Sequence, residues 1–342
     1  MTGTTTGATT LLEARYRTVL RLLPAYYRRE REEEMVEVYL WDVDRETQDQ
    51  SRPTLGETAS IAALAVRTRL GAGGAPRGYA LLGSALRHFA LFAVLLQATA
   101  AVADRALELA YAFTHGTVGR ETFASGFIGR GPVVATAAVA AWLLPLLWTV
   151  GYFALVHDRR RIARAAVLLA ALPTLWPFLE PLVTDFPPRD AAYAAASAAF
   201  AWLPALALCA AWHRDAPAAV VPVATPGTLY LGCCVVMGAS VVLVPVAADS
   251  VWAPTTCFVL GALGWLVRRA RRGRPAGGEG ALALAVLGLL VLAVRVAAAY
   301  PWLDVAMPLP AAMVAGFAAQ AAALLLLTVV LAVVGGRDAA AR

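Results

Sequence analysis

The sequence predicts an all-α protein. It reads as a polytopic transmembrane helix bundle of about eight spans, both termini cytoplasmic, preceded by a small three-helix cytoplasmic domain. Three observations carry this. Hydrophobic residues make up 60% of the 342-residue chain and the mean hydropathy is +0.64, against roughly 45–50% apolar residues in soluble domains. The excess lies after about Gly78, in runs of about 20 residues, the length that crosses a hydrocarbon core of ~30 Å. The densest arginine clusters fall between alternate runs, as cytoplasmic connections do.

The polar N-terminal part is read first. Residues 1–9, rich in Thr and Gly, are expected to be a disordered tail. Thr10-Leu-Leu-Glu13 has the capping-box spacing and opens a helix carrying Leu12, Tyr16, Val19, Leu20 and Leu23 at helical intervals, which Pro24 ends. A second helix runs from about Ala25 to about Arg45. Its Glu and Arg residues stand at i,i+3 and i,i+4 spacing on a solvated face. After a polar linker, Glu46 to Pro53, Thr54-Leu-Gly-Glu57 is a second capping box. The third helix passes through Ile61, Leu64 and Val66 to Leu70. Residues 10–71 thus form the predicted three-helix domain, and residues 72–78 a Gly-rich hinge. A core under 80 residues is marginal alone, so packing on a partner would help it.

The order of these elements carries a resemblance. A helix ending in Leu22-Leu-Pro24 is followed by the charged helix Tyr26-Tyr-Arg-Arg-Glu-Arg-Glu-Glu-Glu-Met35 and a capped third helix before the membrane spans. This pattern, over residues 10–71, resembles the HAAS-type domain and related permease-prefix domains of bacterial membrane proteins. The resemblance implies a partner such as a PadR-like transcriptional regulator, or fusion to a permease-like bundle. Tyr26, Tyr27, Met35 and Tyr39 are the residues expected to meet a partner. The absence of lysine, with the wealth of Ala, Gly, Pro and Val, suggests a high-GC bacterial source such as an actinobacterium.

The expected bundle covers residues 79–335, with a cytoplasmic tail at 336–342. Its spans are Leu81–Val102, Val133–Val156, Ala165–Asp185, Ala191–Trp212, Leu229–Ala247, Trp252–Val267, Ala281–Tyr300 and Ala311–Val334. Inside connections then hold Arg159, Arg160, Arg161 and Arg164, next Arg214, next Arg268, Arg269, Arg271, Arg272 and Arg274. Outer ones hold Arg105, Arg120, Arg130 and Arg189. The first helix is expected to reach Phe113 in one reading. The segment from Gly116 to Gly131 reads as a re-entrant or interfacial piece or, as its charges favour, a surface loop. The first 30 residues lack an apolar h-region, so no cleavable signal peptide is expected.

Charge distribution excludes a nucleic-acid function. Residues 1–77 hold 11 Arg and 11 acidic residues, and the whole excess of +6 comes from the 18 Arg and 12 acids that follow. Those extra arginines lie beside membrane spans rather than on one basic face. Without lysine there is no phosphate-binding P-loop, and there is no His-Glu-x-x-His or Gly-x-Ser-x-Gly. Cys209, Cys233, Cys234 and Cys257 sit in apolar runs and read as small hydrophobes. No cofactor, metal or catalytic residue is expected.

Ionisable residues within spans are functional candidates because burying them is costly. Glu180 in the third span and Arg295 in the seventh stand at similar depth in the outer half and are expected to pair. Two readings stand, a structural pair and a ligand or signal site. Asp104 and Glu108 share a helix face. They could hold a cation, or simply solvate a helix end beside Arg105. Asp185, Asp249 and Asp304 read as outer span ends, and Gln97 and Gln320 as interhelical hydrogen-bonders. Pro173, Pro177 and Pro181, at four-residue spacing, predict a kinked helix, either a gate or a bent packing element.

Two functions follow as expectations. The first is a non-enzymatic regulatory or signalling membrane protein whose cytoplasmic helices bind a protein partner. The second is a transporter or permease subunit served by an ATPase subunit. The lipid bilayer is the partner common to both.

Overall fold

The structure is a computed structural model. It describes residues 10–41, 52–72, 74–128, 132–183, 190–212, 217, 225–244, 249–272, 278–303 and 310–341. The N-terminal tail, most of the Glu46–Pro53 linker, Arg45, Arg130, Asp185, Arg189, Arg214, Arg274 and Asp304 lie outside the described residues. The described residues contain helices and turns and no strand.

Contacts divide the chain into two compact units, one ending at Ser84 and one beginning at Ala85. The first unit contains α1 (Leu11–Leu20), α2 (Ala25–Trp41), α3 (Leu55–Arg69) and the first turns of α4 (Arg77–Thr114). Thr10 caps α1 by accepting from the Glu13 N–H at 3.3 Å. The box at α3 is complete: Thr54 Oγ1 accepts from Glu57 N at 3.2 Å, and Glu57 accepts from Thr54 N at 2.7 Å. The apolar residues of α1 then meet one core with Leu23, Val36, Ile61 and Ala65. Tyr16 and Tyr39 stack face to face within it, centroids 3.9 Å apart. Arg17 ties α1 to α2, bonding Glu33 at 2.9 and 3.0 Å and Glu13 at 3.0 Å.

The Gly-rich segment expected to act as a hinge contains a tight turn. Gly71 has φ +88°, which an L side chain rarely adopts, and a Cβ there would lie 2.9 Å from Ala80 Cα. A Cβ at Gly83 would fall 1.9 Å from the Leu70 carbonyl oxygen. The end of α3 and the start of α4 therefore touch backbone to backbone, which is why glycine stands at both places.

Among its described residues the second unit holds the rest of α4 and ten further helices: α5 (Gly116–Ser125), α6 (Pro132–Leu143), α7 (Leu147–Val156), α8 (Arg160–Ala171), α9 (Trp176–Val183), α10 (Ala191–Ala211), α11 (Pro226–Leu243), α12 (Trp252–Arg272), α13 (Gly278–Ala299) and α14 (Ala311–Ala340). α13 and α14 make the most extensive pairing. α7 lies on α8, α11 on α12, and α10 on both α8 and α13. Small residues permit the α13–α14 approach: a Cβ at Gly288 would meet Thr328 Oγ1 at 2.5 Å, and one at Gly335 would meet Leu282 at 2.7 Å.

Among the described residues, seven helical stretches are long and apolar enough to cross a membrane. They correspond to every predicted span except Trp252–Val267. That helix exists as α12, but its apolar part is brief and its end carries Arg268, Arg269, Arg271 and Arg272. The segment expected as a surface loop is also partly helical. Gly116, at φ +62°, breaks α4, and the chain re-enters a helix, α5, whose Phe123 lies 6.0 Å from the Trp142 ring of α6. Aromatic contact outweighs the segment's polar composition.

Candidate functional site

An arginine inside an apolar helix must recover its hydration from protein groups. Arg295 of α13 is 1% exposed. Its Nη1 donates to both carboxylate oxygens of Asp249, at 2.7 and 2.6 Å, and its guanidinium lies 4.0 Å from the Phe317 ring centroid of α14. Asp249 stands just ahead of α12 and is committed twice, because its Oδ1 also accepts from the Val251 N–H at 3.1 Å at the start of that helix. Gln320 of α14 continues the polar line, donating to Thr256 Oγ1 at 2.9 Å and to the Trp252 carbonyl at 3.3 Å. α12, α13 and α14 are thus pinned together at one level by an ion pair, a cation–π contact and an amide.

The cluster is not fully satisfied. Arg295 Nε and Nη2, Gln320 Oε1 and Thr255 Oγ1 are buried without a hydrogen-bond partner. Each such group costs about 1–3 kcal/mol. The site therefore carries unpaired guanidinium donors, an amide oxygen and a hydroxyl where three helices meet.

The expected partner of Arg295 is corrected here. Its carboxylate is Asp249, not Glu180, because the chain entering α12 brings Asp249 onto α13 while Glu180 sits half-buried on α9. Asp249 had read from sequence as a solvated span end. The signal that could have found it is the need of any buried arginine for a counter-ion near the same span end.

Asp104 and Glu108 are not joined by any described bond. Glu108 instead accepts from Arg105 Nη1 at 2.6 and 2.7 Å and from the Trp142 indole N–H at 2.8 Å. Arg105 also lies over the Trp142 ring at 5.7 Å. Beside this group a cavity of about 520 Å³ is walled by Tyr111, Phe123, Phe127 and Trp142. Among the described residues, no cluster of three or more His, Cys, Asp or Glu could hold a metal ion.

The proline series falls on an interrupted helix. α8 stops at Ala171, a 3-10 turn (Leu172–Leu175) containing Pro173 follows, and α9 resumes with Pro177 in its first turn and Pro181 inside it. A second interruption, unforeseen, occurs at Pro145 between α6 and α7, in the 3-10 turn Leu144–Leu146. The two turns lie against each other. Gln97 donates to the Phe200 carbonyl of α10 at 3.2 Å, the interhelical role expected of it.

In the first unit, the four expected partner-binding residues divide. Tyr26 donates to the Thr68 carbonyl at 2.9 Å, and Tyr39 stacks on Tyr16 while donating to Glu57 at 3.2 Å. Both take part in the unit's own packing, and Tyr39 at the same time borders an open groove. Burial and the Glu57 carboxylate push the Tyr39 phenol up to about 12, and burial raises Tyr16 as well. Arg17 holds the Glu33 carboxyl below the usual range. Tyr27, Met35 and Tyr39 pack in part against the core and line this groove of about 600 Å³ together with Val38 and Trp41. Val38 is 65% exposed and Trp41 89% exposed. Tyr27, Arg31, Glu34, Val38 and Trp41 recur at three- and four-residue spacing on one face of α2.

Comparison of the chain with protein-family models, with curated proteins and with solved structures finds no match.

Proposed function

We propose that the protein is a non-enzymatic regulatory membrane protein whose N-terminal helical unit lies in the cytoplasm and binds a protein partner, such as a PadR-like regulator. The carrying observation is the stripe of Tyr27, Val38 and Trp41 beside Met35 on α2. An aromatic exposed to this degree is not accounted for by the unit's own core, and aromatic residues are typical anchors of protein interfaces. The resemblance of residues 10–71 to HAAS-type domains supports the same reading. The bundle counts eight spans in this proposal, because α12 packs among α11, α13 and α14 as a spanning helix would. Its arginine-rich end, like Arg159–Arg161 and both chain termini, then faces the cytoplasm.

The test uses the full chain in detergent as bait for a PadR-like regulator encoded beside it. Retention by the wild type, lost in Trp41→Glu, supports the proposal. A regulator that is not retained contradicts it.

A second reading, a permease subunit, has one observation in its favour. Two neighbouring apolar helices are each interrupted by a proline-led 3-10 turn, and the turns touch. Broken helices at one level supply the backbone groups that transporters use at their sites. Substrate uptake in proteoliposomes, dependent on a co-purifying ATPase subunit, would select this reading.

A further inference from the structure

The chain has four cysteines, and two of them meet from separate helices. Cys233 of α11 and Cys257 of α12 are hydrogen-bonded thiol to thiol. The adjacent Cys234 is engaged elsewhere, with Tyr230 one turn back on its own helix, and Cys209 belongs to α10. Cys233 and Cys257 therefore form a defined pair.

A second contact fixes the register of the two helices. Ser240 lies two turns beyond Cys233 on α11, and its carbonyl accepts from the Trp252 indole N–H at 3.2 Å, at the start of α12. Contacts that run forward along α11 run backward along α12, so the helices are antiparallel neighbours with the two sulfurs facing each other. A disulfide needs Cβ atoms about 3.5–4.5 Å apart, and thiols in hydrogen-bond contact already stand near that arrangement.

The two sulfurs differ in access. Cys257 is 6% exposed and Cys233 is half-buried, and both border one apolar cleft. A small neutral reagent can approach Cys233 there, whereas a charged one would have to shed its hydration. A thiol in apolar surroundings is inert by itself, because the thiolate is the nucleophile. A Cys257 S–H donated to the Cys233 sulfur offsets that cost by stabilising charge as it develops.

We propose that Cys233 and Cys257 are a redox-active dithiol that a peroxide closes to a disulfide joining α11 to α12. The proposal goes beyond the regulatory reading and does not depend on it. The Cys233 sulfur attacks one peroxide oxygen. The S–O bond forms, the O–O bond breaks, and the Cys233 proton leaves with the other oxygen as water or an alcohol. The Cys257 sulfur then attacks the resulting sulfenic acid. The S–S bond forms, the S–O bond breaks, and the Cys257 proton leaves with the hydroxyl as water. Two sulfurs are oxidised by one electron each, and two peroxide oxygens are reduced by one electron each. Cys233 is the attacking residue and Cys257 the resolving one.

The experiment exposes the full chain in vesicles to hydrogen peroxide from the water or to a phospholipid hydroperoxide in the bilayer. Alkylation of the remaining thiols, digestion without reductant and mass spectrometry follow. The wild type should lose two of its four free thiols and yield a Cys233–Cys257 linked peptide that dithiothreitol cleaves. Formation in either arm supports the proposal and identifies the source of the peroxide. Cys257→Ser should accumulate a Cys233 sulfenic acid that dimedone traps, Cys233→Ser should leave Cys257 unmodified, and Cys234→Ser should behave as the wild type. Wild-type protein that forms no Cys233–Cys257 linkage in either arm overturns the proposal, as does a linkage made through Cys234 or Cys209 instead. This reading is made on the wild type and holds even where a variant does not fold. Folded Cys257→Ser protein in which dimedone finds no Cys233 adduct overturns the assignment of Cys233 as the attacking sulfur.

Discussion

Arg295 on α13 and Asp249 ahead of α12 share two hydrogen bonds of 2.6 and 2.7 Å, with the guanidinium 1% exposed. Forty-six residues separate them in sequence, so the pair joins parts of the bundle that local structure cannot join.

Removing one partner leaves a buried charge without compensation, which costs about 3–5 kcal/mol. Asp249→Ala should therefore destabilise the bundle by that order, read as a fall in the thermal transition of the purified protein. Asp249→Ala with Arg295→Met should recover much of the loss, giving a coupling of about 0.5–3 kcal/mol. Glu180→Gln should add independently to Arg295→Met.

Gly288 marks the tightest side-chain clearance between α13 and α14, with Phe258 also within 2.9 Å of its would-be Cβ. Gly288→Val should cost about 1–3 kcal/mol by overpacking. Gly261→Leu, which points into open space, should cost little. The two thermal transitions compared in one detergent test the difference.

The first unit should lose stability at both extremes of pH. The Glu33 carboxyl is held low by Arg17, so its contribution is present above the ordinary carboxylate range of about 4 and is lost as pH falls through the depressed folded value. The Tyr39 phenol is pushed up to about 12. Its contribution is complete below about 10, the ordinary tyrosine value, and is lost as pH rises through the folded one. Hydrogen exchange of the α1 and α2 amides across pH should rise at the acid end, and Glu33→Gln should flatten that rise. Tyr39→Phe should flatten the alkaline rise.

Thr54→Ala removes half of a complete capping box and should cost about 1 kcal/mol. Faster exchange confined to the first turn of α3 is the expected signature. A uniform effect across the bundle would assign Thr54 a different role.

Much of this architecture was legible in the sequence, because run length and caps are local properties. The apolar runs marked α4 and the helices from α6 to α14, and Thr54 with Glu57 marked the start of α3. Arg295 was legible as an expensive buried charge. Its partner was not, since depth counted along separate spans pointed to Glu180 while Asp249 read as a span end, and tertiary packing brings Asp249 onto Arg295. The hydrogen bonds of Tyr26 to Thr68 and of Tyr39 to Glu57 were not legible, because they join residues far apart in the chain. α5 was hidden by its polar composition.

The central claim is that these helices cross a bilayer with their arginine-rich ends inside. Fusions of alkaline phosphatase, active only outside the cytoplasm, and of a fluorescent protein that folds only within it test this after Gly131, Arg161 and Arg272. Phosphatase activity at Gly131 alone, with fluorescence at Arg161 and Arg272, is the predicted result. Phosphatase activity after Arg161 or Arg272 would contradict it.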